Sequence, residues 1–125
     1  MSSSKKFLVS LLLAISFSLS YAPATIAEGN AIHKMAQIVM HLNHYPSEGD
    51  KTKLKTIAAH GTEAEKTIAN ALMHMSHKIS AADKKKLEQV SHDNSLSAHT
   101  RELAMIIHNI NHKVSAGDKK KLGKM

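Results

Sequence analysis

A short pattern of sulfur- and imidazole-bearing side chains occurs three times in the chain. A methionine or histidine is followed by a histidine or asparagine, and a further histidine stands three residues later. Imidazole nitrogen binds copper, zinc and nickel, and thioether sulfur favours Cu(I) in particular. The pattern therefore predicts a transition-metal site, with copper as the first choice and zinc or nickel as alternatives. The predicted ligands are Met40, His41, His44, Met73, His74, His77, His108 and His112.

A helix through each pattern would put these side chains within reach of one another. Residues at i and i+4 lie one turn apart on the same face, close enough for two side chains to share an ion. At 100° per residue, Met73, His74 and His77 lie opposite the apolar stripe that begins at Ile68. We therefore expect them to lie outside the core, which is unusual for a methionine.

A purely structural interpretation of the last histidine in each pattern stands beside this one. His44, His77 and His112 are expected in the last turn of their helices, where a histidine can bond to terminal carbonyls and complement the helix dipole. An internal duplication would copy such a turn three times without any metal. The other histidines, for which surface or half-buried structural roles are expected, are His33, His60, His92 and His99.

Each pattern is followed by a serine and, three residues later, by an aspartate and a lysine. The three aspartates, Asp50, Asp83 and Asp118, lie 33 and 35 residues apart, which is the length of a helix-turn-helix repeat. A serine at the N-cap accepts a backbone hydrogen bond, and an acid at N3 complements the positive end of the helix. The serines predicted to begin the second helices are Ser47, Ser80 and Ser115.

Apolar residues spaced by three and four predict a longer helix before each of these turns. The second copy shows the spacing at Ile68, Leu72, Met75 and Ile79, and the other two copies show it as well. Thr62-Glu63-Ala64-Glu65 is typical of a capping box, and Asn94 or Ser95 is expected to cap the third long helix. The predicted fold is all-α, with three tandem pairs of a long and a short helix packed as a small bundle or a short solenoid.

The amino-terminal residues predict export. Lys5 and Lys6 precede an apolar run from Phe7 to Leu19, and small residues for cleavage end at Ala24 or Ala27. We expect residues 1–27 to be a secretory signal and residues 28–125 to be a single helical domain, which is periplasmic or secreted. The 17 lysines and arginines, less Lys5 and Lys6, exceed the 10 acids by five, and the chain has no cysteine. Stability is therefore expected from helix packing, a bound ligand or association.

Catalytic motifs are missing from the sequence. It contains no cysteine nucleophile, Gly-x-Ser-x-Gly elbow or His-Glu-x-x-His pair, so the prediction is a binding protein rather than an enzyme. With Tyr45 the only aromatic residue beyond the signal, nucleic acid is not an expected partner. Two further hypotheses are a scaffold that meets an anionic envelope surface through its lysine-rich short helices, and a protein that responds to pH through its histidines.

Overall fold

Three pairs of helices account for most of the described part of the chain. The computed structural model describes residues 27–125, and the predicted export signal lies outside these residues except for Ala27. In each pair the first helix is the longer, with 14 and 13 residues, 12 and 11, and 11 and 7. The all-α fold with helix-turn-helix repeats is confirmed. The six helices of this region are α1 Ala27–Met40, α2 Glu48–His60, α3 Glu63–His74, α4 Ala81–Ser91, α5 Ala98–His108 and α6 Ala116–Leu122.

The repeated serine begins the second helix of every pair, as predicted. The hydroxyl oxygens of Ser47, Ser80 and Ser115 accept hydrogen bonds from backbone N–H groups three residues later, at 3.1, 3.2 and 3.1 Å. Each serine has extended backbone angles, as an N-cap residue should. The start of α3 has the predicted capping box, in which Thr62 and Glu65 exchange bonds of 3.2 and 2.9 Å.

The start of α5 differs from the prediction. Ser97 is its N-cap and accepts a hydrogen bond from the backbone N–H of Thr100 at 3.2 Å, whereas Asn94 or Ser95 was the expected cap. Ser95 is engaged elsewhere, because its hydroxyl and its backbone N–H both donate to the carboxylate of Asp93, at 2.6 and 3.0 Å. These bonds form a local turn that delays the helix by two residues.

The core is built from equivalent positions of the three repeats. Within each first helix, the apolar positions that are three and four residues apart are buried, and one leucine of each second helix covers them. Burial of this stripe is the main driving force for packing the helices. The equivalent buried sets are Met35, Ile68 and Leu103; Ala36, Ala69 and Ala104; Val39, Leu72 and Ile107; and Leu54, Leu87 and Leu122.

The three repeats close on one another rather than extending as an open solenoid. Helix α2 packs against α3, α4 packs against α5, and α6 returns to pack against α1. The three first helices, α1, α3 and α5, also contact one another in every combination. Equivalent positions of the three repeats are therefore brought around a common centre. No helix in residues 27–125 is long and apolar enough to cross a membrane.

Candidate metal centre

Each first helix ends before the histidine that was expected in its last turn. Helices α1, α3 and α5 end at Met40, His74 and His108, so the last histidine of each pattern lies in the connection to the next helix. His44, His77 and His112 have φ angles of 67°, 67° and 68°, and among the described residues they are the non-glycine residues with positive φ. A helix cannot continue through this left-handed backbone. The prediction that these histidines lie in the last turn of their helices was therefore wrong, whereas the expected exposure of His77 is confirmed.

Each histidine is the middle residue of a tight three-residue turn. The Tyr45 N–H donates to the Asn43 carbonyl and the Lys113 N–H donates to the Asn111 carbonyl, both at 2.8 Å. Ser76 and Lys78 form a bridge pair across His77, as Asn43 and Tyr45 do across His44 and Asn111 and Lys113 do across His112. A bond from residue i+2 to residue i around a positive φ is the geometry of the rarer, strained form of γ-turn. We call residues 43–45, 76–78 and 111–113 the histidine turns.

The three histidine turns are joined by a closed ring of backbone hydrogen bonds. The His77 N–H donates to the His44 carbonyl at 2.9 Å, and the His112 N–H donates to the His77 carbonyl at 2.6 Å. The His44 N–H closes the ring by donating to the His112 carbonyl at 3.3 Å. Each histidine backbone thus donates once and accepts once, which gives the centre an approximate threefold symmetry.

Buried side chains on both sides attach each turn to the core. The residues two positions before and two positions after each histidine are apolar and buried, while the histidine side chains are half-buried or exposed. The buried flanking residues fix the backbone of each turn to the core, and the imidazoles remain accessible to solvent. The flanking residues are Leu42 and Pro46, Met75 and Ile79, and Ile110 and Val114.

The three imidazole rings form one group, which we call the trihistidine cluster. The ring centroids are 4.9 Å apart for His44 and His77, 5.4 Å for His77 and His112, and 5.8 Å for His44 and His112. The rings meet edge to face, with interplanar angles between 61° and 82°. One ring nitrogen from each histidine lies within 4.8 Å of the other two, so the three residues can hold a metal ion.

The nitrogen separations approach those of a tetrahedral site. A metal with three imidazoles at 2.0–2.1 Å in tetrahedral geometry places the ligand nitrogens about 3.3 Å apart. The Nδ1 atoms of His44 and His77 are 3.1 Å apart, and one ring nitrogen of each histidine lies within 4.8 Å of the other two, so a decrease of at most about 1.5 Å in any separation brings the nitrogens to tetrahedral spacing. Rotation of an exposed ring supplies that movement without disturbing the backbone. A fourth coordination position would face the solvent, because the cluster is exposed on its outer side.

A hydrogen atom or a cation must lie between the Nδ1 atoms of His44 and His77 in the trihistidine cluster. Two Nδ1 atoms 3.1 Å apart cannot both present a lone pair without repulsion, and they cannot both carry hydrogen. Either one Nδ1–H donates to the other ring, or a cation lies between the nitrogens. A metal ion satisfies all three lone pairs at once, whereas a single proton satisfies only one pair of rings.

The other five predicted ligands do not belong to this three-histidine group, and each has contacts of its own. The His41 ring bonds to the Gln37 carbonyl at 3.0 Å, and the His74 ring lies 3.4 Å from the Asp83 carboxylate. The His108 ring contacts the side chain of Asn109 at 3.0 Å. The remaining two are Met40 and Met73, which are partly buried and packed against the hydrophobic core.

The sequence contained a signal for this grouping. His44, His77 and His112 are the members of the pattern that occur as histidine in all three copies, whereas the other positions vary between copies. Three equivalent residues meet when three repeats close into a ring, so the ligands come from different repeats rather than from one helix. No protein-family model, curated protein or solved structure matches this chain, and the chemistry of the cluster is therefore the basis for assigning a function.

Proposed function

We propose that this protein is a small exported transition-metal-binding protein, in which each repeat contributes one histidine to a single ion. The observation that carries the proposal is the convergence of His44, His77 and His112, whose ligand nitrogens lie within 4.8 Å of one another. Three imidazoles with an open fourth position form a known type of metal site. The proposed chemistry is reversible coordination, which would serve uptake or buffering and requires no turnover.

The backbone of the histidine turns supports this proposal. A left-handed conformation costs an ordinary L-residue roughly 1–2 kcal/mol, whereas glycine adopts it freely. Asparagine, aspartate and histidine adopt positive φ more often than other L-residues do, but less readily than glycine. The chain nevertheless has histidine at the apex of all three turns, with φ near 67°. A role for the imidazole explains why histidine, and not the unstrained glycine, occupies the apex of each of the three turns.

Copper is the finer part of the proposal, and it rests on the imidazoles alone. Sites made of nitrogen ligands bind Cu²⁺ more tightly than Ni²⁺ or Zn²⁺ in the usual order of divalent affinities. Cu²⁺ prefers a square-planar or tetragonal arrangement, so it would require the exposed rings to move from tetrahedral separations and oxygen ligands to bind on the exposed side. The thioether argument for Cu(I) receives no support from Met40 and Met73, because both pack against the core. We therefore propose Cu²⁺ first, with zinc and nickel as weaker ligands of the same site.

Metal titration of residues 28–125 tests the proposal. The expected result is one Cu²⁺ per chain, with an affinity that falls by about 100-fold or more in His77→Ala, because a lost ligand costs at least as much as a lost outer-shell partner. His92→Ala is the matched control, because His92 is exposed and its ring bonds to the Glu88 carbonyl of its own helix. Equal affinities in the wild type, His77→Ala and His92→Ala would contradict the proposed site.

A proton-responsive role is the second candidate, since the same cluster favours it. Three rings with centroids 4.9–5.8 Å apart repel one another when all are protonated, and acidification would therefore loosen the histidine turns. A metal-binding protein loses its ion on acidification, whereas a proton sensor needs no ion at neutral pH. If copper does not change the Tm at neutral pH, and the Tm of the metal-free protein falls steeply on acidification, the second candidate takes precedence.

A further inference from the structure

The positive charge of the protein is concentrated around the trihistidine cluster. We define the trihistidine face as the three histidine turns with the adjoining helix ends, residues 41–54, 74–87 and 109–122. These segments carry ten lysines and four acids, whereas the other residues of 28–125 carry five basic and six acidic side chains. The lysines are Lys51, Lys53, Lys78, Lys84, Lys85, Lys86, Lys113, Lys119, Lys120 and Lys121.

The fold brings these lysines to one end of the molecule. The backbone ring joins the three turns, and α2, α4 and α6 each begin within four residues of a histidine. A helix rises about 1.5 Å per residue, so lysines in the first two turns lie within about 10 Å of the helix start. Three of the acids are already paired, because Glu48 bonds to Lys51, Asp50 to Lys53 and Asp118 to Lys121, at 3.2, 3.6 and 3.9 Å.

The residues that directly follow the three histidines are all hydrogen-bond donors. These residues are Tyr45, Lys78 and Lys113, and all three are exposed. Tyr45 is the exposed large hydrophobic side chain among the described residues, with 58% of its surface accessible. Each repeat therefore has one exposed donor side chain, a phenol or an ammonium group, directly beside its histidine in the chain.

We propose that the metal-loaded trihistidine cluster binds a phosphate group as its fourth ligand. This inference rests on the proposed metal site and names the ligand that completes it. A tetrahedral phosphate that gives one oxygen to the metal presents three further oxygens, and the three repeats offer one donor each, Tyr45, Lys78 and Lys113. The metal adds positive charge to the face, and a phosphate offsets that charge.

Cobalt-substituted protein provides the test, because the visible absorption of Co²⁺ changes when an oxygen ligand replaces water. Cobalt binding is measured first, by titration without phosphate. Inorganic phosphate is then added to the loaded protein at low ionic strength, where exposed charges act at full strength. The expected result is a saturable spectral change in the wild type, with no phosphate binding by the metal-free protein.

Two double variants test whether Lys78 and Lys113 contribute to phosphate binding. Lys78→Gln with Lys113→Gln should weaken phosphate binding by about tenfold or more, because two charge-assisted hydrogen bonds are lost, and it should leave cobalt affinity unchanged. Lys34→Gln with Lys66→Gln is the matched control, because it removes the same charge from α1 and α3 far from their ends at the cluster. The control should stay within about twofold of the wild type.

The outcomes separate this inference from the metal proposal. If cobalt does not bind, the same phosphate titration is made on the copper-loaded protein, and failure to bind either ion overturns both proposals. Cobalt binding without a spectral response to phosphate, removal of the cobalt by phosphate, or equal phosphate affinity in the two double variants overturns the phosphate inference alone. Co-sedimentation with phosphatidylcholine vesicles, with and without phosphatidic acid, then identifies the source. Recovery only with phosphatidic acid assigns a lipid headgroup, and a response only to free phosphate assigns a soluble anion.

Discussion

Replacing His77 by glycine and by alanine separates the backbone strain of the histidine turn from the role of its imidazole. Both substitutions remove the ring, which bonds to His44 at 3.1 Å, but only glycine relieves the left-handed backbone at φ 67°. Relief of that strain is worth about 1–2 kcal/mol, and the greater freedom of glycine in the unfolded chain offsets about 0.4–1 kcal/mol. His77→Gly should therefore be more stable than His77→Ala by about 0.5–1 kcal/mol.

Thermal melting in metal-free buffer measures this difference. For a domain of this size, 0.5–1 kcal/mol corresponds to a Tm difference of about 2–8 °C. Copper at 100 times its Kd should add about 2.7 kcal/mol to the wild type and little to either variant. An alanine variant as stable as the glycine variant would refute the strained turn. A copper effect of equal size in both variants and the wild type would refute the role of the imidazole.

Three further predictions concern the cap, a loop carboxylate and the export signal. Ser80→Ala should lower the free energy of unfolding by about 1 kcal/mol through loss of the cap of α4, and an unchanged denaturation midpoint would contradict that role. Hydrogen bonds from the Ser95 hydroxyl and N–H lower the pKa of Asp93, so this carboxylate stabilises the fold above its ordinary titration range and that stabilisation is lost as the pH falls through the lowered pKa. Ser95→Ala should raise the pKa of Asp93 in an NMR titration, and an unshifted curve would contradict the assignment. Amino-terminal sequencing of protein from the host envelope should begin at Thr25 or Glu28, whereas intact Met1 in the soluble cytosol would contradict export.

The helices and their pairing were predictable from the sequence because local signals specify them. The apolar stripe at Ile68 and Leu72 and the cap at Ser80 each act within a few residues, and the structure has both features where they were expected. The ends of the first helices were not predictable from the same signals. Apolar spacing continues through Met75 and Ile79, which are buried although they lie beyond the end of α3. The helix predicted from apolar periodicity alone therefore extended beyond the end of α3 into the histidine turn.

The members of the candidate site were predicted, but their arrangement was not. His77 belonged to the predicted ligand set together with its helical neighbours Met73 and His74, because residues within one helix were the contacts that spacing could indicate. The contacts of His77 are instead with His44 and His112, at 33 and 35 residues' separation. Such contacts depend on packing between repeats, and spacing within one repeat does not indicate them; the related signal in the sequence is the recurrence of this histidine in all three copies.

X-ray absorption at the metal edge of the copper-loaded protein tests the central claim most directly. The proposed site predicts three imidazole nitrogens at about 2.0 Å, with the remaining scattering from oxygen and none from sulfur. The same measurement on His44→Ala should show one imidazole fewer. Sulfur scattering near about 2.3 Å, the distance typical of a metal–sulfur bond, would place Met40 or Met73 in the site. That result, or an unchanged imidazole count in His44→Ala, would contradict the trihistidine centre.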